Sequence, residues 1–335
     1  MQIDNAVSNF AKKQYTCKIE IRGDIDSMAG QKMFYENRLM ILVFILLLLV
    51  TACLGGCNSN AGGNPDDNGG NNGGNGENSP VFFDDFEYNG NADSELTRFN
   101  WRIRTETGAP GYPGAKWLKD NVTFTTVSGQ KVLQLSAAVS GSTVSHAEIY
   151  NNQAFEAGTY AARVKFSDTP VEGTDGNYIC ETFFTISGDD NSLNYSECDF
   201  EYLPNGGWNG NDNDKREALF YTSWATTSDN KCDRTDHSFN GWHTLTMTVM
   251  NGTVTYYVDG QKQFAHGGKY YPDGPMVIDF NLWFLKENTD LLPSKYQQQV
   301  DWVYYCKGKT LTTVQVESDV ADLRSRSIKR LDQIP

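Results

Sequence analysis

The chain has 335 residues, a formal net charge of −14 and 13% aromatic residues. That length sets one large domain or two small ones. The acidic balance, with no basic run, argues against nucleic acid as a partner, and 31 glycines beside so many aromatics suit an all-β protein better than a helical bundle.

In chain order, the first segments read as lying outside the fold. "LMILVFILLLLVTAC", preceded by Lys32 and Arg38, is too short for a comfortable membrane span and has the form of a signal-peptide apolar region. It ends in Val50-Thr51-Ala52-Cys53, which resembles the bacterial lipobox, where the cysteine is lipidated and becomes the new N-terminus; Cys57 is a second, weaker site. The polar stretch 1–27 is unusual ahead of such a region and points to Met28 or Met33 as the start. Residues 58–80 are almost all Asn, Gly, Asp and Ser, a composition that cannot bury a core and reads as a flexible tether. The expected organisation is a signal and lipoprotein segment (1–57), a disordered linker (58–80), a folded domain (81–307) and a tail with a short helix (308–335). Such a protein is exported, sits at the cell surface, and meets the membrane only through its N-terminal lipid.

From Val81 onward, short alternating runs lie between turn signals. "KVLQLSA", "GTYAARVKF", "ICETFFTI" and "ECDFEYL" read as strands. In "HTLTMTVMNGTVTYYVDGQKQF" three strands are joined by Asn251-Gly252 and Asp259-Gly260, the preferred two-residue hairpin turns. "VIDFNLWF" and "QQVDWVYY" follow. A dozen or more strands without helical periodicity predict an antiparallel β-sandwich or barrel. At the end, Thr312-x-x-Gln315 followed by Val316, Val320 and Leu323 predicts a capped amphipathic helix on the outer surface. Cys180, Cys198, Cys232 and Cys306 fall in the folded part, either bridged or as buried thiols.

One strand carries chemistry. In "NYSECDFEYLPNG", Glu197, Asp199 and Glu201 share one face, and Cys198, Phe200 and Tyr202 share the other. Three adjacent carboxylates repel one another, so the cluster is better read as functional than as a solvated face. A metal site lacks a His or Asn to complete its shell. Glycoside hydrolysis needs two carboxyls, one ionised and attacking, the other protonated and donating, and a short Asp between them can bond one and keep the other protonated. His146, His237 and His266 show no ligand spacing, and His243 reads as structural.

"ECDFE" resembles the Glu-x-Asp-x-Glu signature of glycoside hydrolase family 16, and its uninterrupted spacing is similar to that of the lichenase-like branch. "FFDDF", "WLKDNVTF", "AEIYNN", "ETFFTISG", "FYTSW", "WHTL", "YYVDG", "NLWF" and "VDWV" follow in the family's order across residues 82–305. The resemblance implies an all-β jelly-roll sandwich with a concave substrate cleft, and a retaining endo-β-glycosidase acting on a mixed-linkage 1,3-1,4 or 1,3 β-glucan as a monomer. Glu197 would be the nucleophile, Glu201 the general acid/base and Asp199 the helper. Glu148, Tyr150, Tyr195, Tyr221, Trp224, Asn281 and Trp283 are the expected substrate contacts, with Trp101, Trp117 and Trp242 assigned to the core. No catalytic cofactor is implied, but a structural calcium is, on Asp301 with backbone oxygens at Asp85 and Gly129. The family's cleft Arg two residues after Glu148 is here Tyr150, and its Trp two residues before the nucleophile is Tyr195. Transglycosylation on the same residues, or a non-catalytic lectin-like role, are the alternatives.

Overall fold

The structure, a computed structural model, describes residues 79–187, 195–208 and 217–335. These all belong to one structural unit. The signal segment, Cys53, the tether up to residue 78 and residues 188–194 and 209–216 lie outside the described residues.

The described chain begins with β1 (Val81–Asp84), the short helix α1 (Ser94–Arg98), β2 (Trp101–Ile103), β3 (Lys116–Trp117), β4 (Val122–Val127) and β5 (Gln130–Ser140). The long strands β6 (Thr143–Phe155) and β7 (Gly158–Phe166) follow, then β8 (Glu172–Gly173), β9 (Ile179–Ser187), β10 (Ser196–Leu203), β11 (Ala218–Thr226) and β12 (Asp229–Thr235). Next come β13 (Gly241–Met250), β14 (Thr253–Val258), β15 (Gln261–Gly267), β16 (Met276–Phe284), β17 (Ser294–Lys307), α2 (Thr313–Ser325) and β18 (Arg330–Asp332). Cys232 lies in strand β12.

Pairing is antiparallel apart from the short β3–β6 contact. The first layer runs β2–β6–β16–β9–β10–β11–β12. The second is built on β17, which pairs with β7 along one edge and with β5 and then β1 along the other; β13, β14 and β15 extend it beyond β7. The two hairpin turns lie where expected, with positive φ at Asn251, Gly252, Asp259 and Gly260, the backbone that a twisted two-residue turn requires.

Alternation along each strand fills the space between the layers. Cys198, Phe200 and Tyr202 of β10 are fully buried there. Phe183 of β9 lies between Phe200, at 6.0 Å and 4° interplanar angle, and Phe280 of β16, at 5.2 Å and 16°. Each such ring contributes about 1.5–3 kcal/mol by leaving water, and the stack fixes the register of β16, β9 and β10, the strands that carry the carboxylates and their neighbours.

Helix α2 covers the outer face of the second layer. Thr312 and Gln315 form a reciprocal capping box. Val316, Val320 and Leu323 pack on Phe83, Ala161, Trp302 and Tyr304. Thr244 bonds Glu317 at 2.7 Å and Thr246 bonds Thr313 at 2.9 Å, so the threonine face of β13 is roofed by the helix. Beyond α2 the chain returns as β18 to pair with β1. Val81 and Gln333 exchange hydrogen bonds, joining the two ends of the fold.

Cys180, Cys198 and Cys306 are free, buried thiols, so no bridge forms among them.

Candidate active site

Strand β10 carries Glu197, Asp199 and Glu201 on the face turned away from the core. Its neighbours place Trp224, Thr222 and Phe220 of β11 directly opposite the three carboxylates on one side, and Ile186, Phe184 and Thr182 of β9 on the other. One pocket is lined by the three carboxylates with Thr182, Phe184, Asn281 and Trp283. Each carboxylate has a distinct partner. The Tyr195 hydroxyl donates to Glu197 Oε2. The indole Nε1 of Trp224 donates to Asp199 Oδ2 at 2.8 Å. The Thr222 hydroxyl lies 3.4 Å from Glu201 Oε2. Beside them Cys180 is buried, and burial together with the Glu201, Glu181 and Asp199 charges holds its thiol well above the ordinary range, which keeps it protonated.

A second polar group lies two strands away, where β16 pairs Asn281 with Glu148 of β6. The Asn281 amide oxygen accepts from Thr182 Oγ1 at 2.6 Å and from Trp283 Nε1 at 2.9 Å, and its Nδ2 reaches Glu148 at 3.5 Å. Glu148 is bound by Arg104, Nη1 to Oε2 at 3.0 Å, with both side chains buried. The Arg104 guanidinium lies 4.3 Å from the Trp117 ring centre. Burial raises the Glu148 pKa and the Arg104 charge opposes it. Asp279, two residues before Asn281, is held well above the usual carboxylate range by burial and by the Glu148 charge.

Residues 113–304, more than half of the chain, match Glycosyl hydrolases family 16. The chain belongs to glycoside hydrolase family 16. Solved structures share the family's fold. The Bacillus licheniformis β-glucanase aligns over 69% of this chain and 100% of its own, at 20% identity and a TM-score of 0.52. A family 16 endo-glucanase from Bacteroides ovatus, in complex with G4G3G-2F-DNP, aligns over 66% and 98%, at 17% identity and 0.52. A laminarinase from Flavobacterium sp. UMI-01 aligns over 68% and 100%, at 16% identity and 0.52. No curated protein sequence matches the chain.

Within this family 16 fold, the structure gathers most of the residues expected from sequence. Glu197, Asp199, Glu201, Asn281 and Trp283 share a pocket; Trp224 and Tyr195 touch two of the carboxylates; Glu148 bonds Asn281; and Tyr150 lies opposite Asp279. Tyr221 is a correction. It projects to the opposite face of β11, among Phe200, Tyr256 and Phe264 in the core, because it sits an odd number of residues from Trp224. Trp101 and Trp117 are buried as expected, Trp117 in a separate apolar cluster with Trp283 and Tyr178 beside the pocket. Trp242 differs from expectation: it is half-exposed beneath Arg163. Arg104 was not anticipated. It supplies, from the segment after β2, a guanidinium for Glu148 where the family's Arg position holds Tyr150.

The implied calcium does not fit the residues as placed. The carboxylates of Asp85 and Asp301 are both bonded to the guanidinium of Arg324. Gly129 adopts positive φ in the turn between β4 and β5, and the next residue, Gln130, donates its side-chain amide to Asp85. Among the described residues no group of three or more His, Cys, Asp or Glu side chains is arranged to hold a metal ion.

Proposed function

We propose that this glycoside hydrolase is a retaining endo-β-glucanase that cleaves a mixed-linkage 1,3-1,4 or 1,3 β-glucan by double displacement. The observation that carries the reading is the single pocket in which Glu197, Asp199 and Glu201 meet Asn281 and Trp283. The partners support a division of roles. A hydroxyl donated to a carboxylate favours its ionised form, so Tyr195 suits Glu197 to be the nucleophile. Asp199, held by Trp224, adds a negative charge next to Glu201 on the same face, which favours the protonated acid there.

In the first step a Glu197 oxygen attacks the anomeric carbon, the glycosidic C–O bond breaks and Glu201 gives its proton to the leaving oxygen. In the second, Glu201 takes a proton from water, whose oxygen attacks the same carbon and releases Glu197. Trp283 offers a ring face for the sugar, and Glu148 with Asn281 offers polar partners for its hydroxyls.

The test is reducing-end release from mixed-linkage β-glucan, laminarin, xyloglucan and a galactan. The expected outcome is cleavage of one of the first two, loss of activity in Glu197→Gln, and a loss of roughly 10²–10⁴-fold in Glu201→Gln. Equal cleavage by wild type and Glu197→Gln refutes the site. Binding without cleavage would favour a lectin, and longer oligosaccharides from a short donor a transglycosylase.

A further inference from the structure

Asp85, just past β1, and Asp301, in β17, are both buried carboxylates on the side of the second layer that α2 covers. Asp301 falls where the pairing of β17 with β7 slips between Val300 and Trp302, so it has no direct partner in that register. Two such carboxylates close together repel one another and require a cation.

The cation present belongs to the chain. Arg324, in the last turn of α2, donates Nε to Asp85 Oδ1 at 2.8 Å, and its Nη2 also bonds that oxygen. Nη2 further donates to Asp301 Oδ1 at 2.8 Å, and Nη1 lies 3.4 Å from Asp301 Oδ2. The remaining oxygens are also met. Gln130 Nε2 donates to Asp85 Oδ2 at 3.1 Å, and Arg163 Nη1 donates to Asp301 Oδ2 at 2.8 Å while lying over the Trp242 ring at 4.8 Å. Lys329 approaches Asp85 at 3.9 Å. A planar guanidinium can serve two carboxylates at once, which an ammonium cannot do with the same geometry.

We infer that Arg324 is a built-in replacement for a divalent cation: the C-terminal segment docks its guanidinium between Asp85 and Asp301 and ties β1 to β17 without metal. The docking is specified by the capping box at Thr312, by Val316, Val320 and Leu323, and by the Thr244–Glu317 and Tyr304–Asp319 hydrogen bonds. Removing the guanidinium leaves Asp85 Oδ1 and Asp301 Oδ1 without their donor, while Arg163, Gln130 and Lys329 stay on the outer oxygens, and calcium can then enter between the two carboxylates.

The experiment is thermal unfolding of the full chain in millimolar calcium chloride and, separately, in EDTA. Wild type is expected to unfold at the same temperature in both. Arg324→Ala is expected to unfold roughly 10 °C lower in EDTA and to regain several degrees in calcium. That gain should vanish in Arg324→Ala/Asp301→Asn. Arg324→Lys, which keeps the charge, guards against a variant that fails to fold and should show a smaller loss with a weaker calcium response. A wild-type protein stabilised by calcium overturns the inference, as does an Arg324→Ala protein that folds and ignores calcium. The readout is independent of catalysis, so it stands apart from the assignment of the carboxylates.

Discussion

Tyr195 is the residue that separates this pocket from a mere row of acids. Its hydroxyl donates to Glu197, and a hydrogen bond to a charged group is worth about 1.5–3 kcal/mol. Tyr195→Phe removes that bond and keeps the ring. The acidic limb of the kcat/KM–pH profile is expected to move up by roughly one pH unit, because the carboxyl of Glu197 becomes harder to ionise. An unchanged limb would assign Tyr195 a purely structural part. The alternation in "ECDFE" made the three carboxylates legible from sequence, since the period of a strand leaves them no choice of face. The same period excluded one residue of the expected set: Tyr221 and Trp224 are three apart and cannot share a face. Arg104 was not legible, because nothing in the spacing of β2 says that it will reach Glu148, 44 residues later.

At the scale of elements, the signals that could be read were local. Asn-Gly and Asp-Gly turns carry their own backbone preference, and Thr312 with Gln315 carries its own cap. Both appear where the residues put them. What α2 covers was not readable, because the threonines of β13 look like a solvated face until a helix is laid over them. The cap matters beyond its own turn, since it sets where the helix starts and therefore where Arg324 ends up. Thr312→Ala is expected to cost about 1 kcal/mol of unfolding free energy and Thr312→Ser little, measured by urea titration.

For the molecule as a whole, buried ionisable groups make stability depend on pH in two opposing ways. His146 is fully buried, its Nε2 accepting from the Phe284 amide at 3.1 Å; burial, and then the Arg104 charge, holds its pKa down to about 3. His266, bonded to Ser223 at 2.9 Å and Asp233 at 3.0 Å, is held to about 4 by burial against the pull of Asp233. In the unfolded chain both take a proton near pH 6.5, so their contribution is complete above that pH and is lost as pH falls toward 4 and 3. Asp84 acts in the other direction. Burial raises it to about 6, so the folded state holds that proton more tightly and loses stability as pH rises from about 4 to 6. The decisive quantity is therefore a difference. Between pH 7 and 4.5, wild type should lose about 2 kcal/mol more unfolding free energy than His146→Gln; equal losses would mean that His146 is protonated in the fold.

The joined ends of the fold also set the order in which it can be completed. Val81 bonds Gln333, 252 residues further along. The first of the described strands is thus flanked by the last two, β17 and β18. Until β17 has been made β1 has no partner, and its second edge closes only when β18 follows; contacts of such wide separation are the slow ones to close. A chain cut short before β18 therefore keeps one edge of β1 open, an unpaired strand edge of the kind that aggregates.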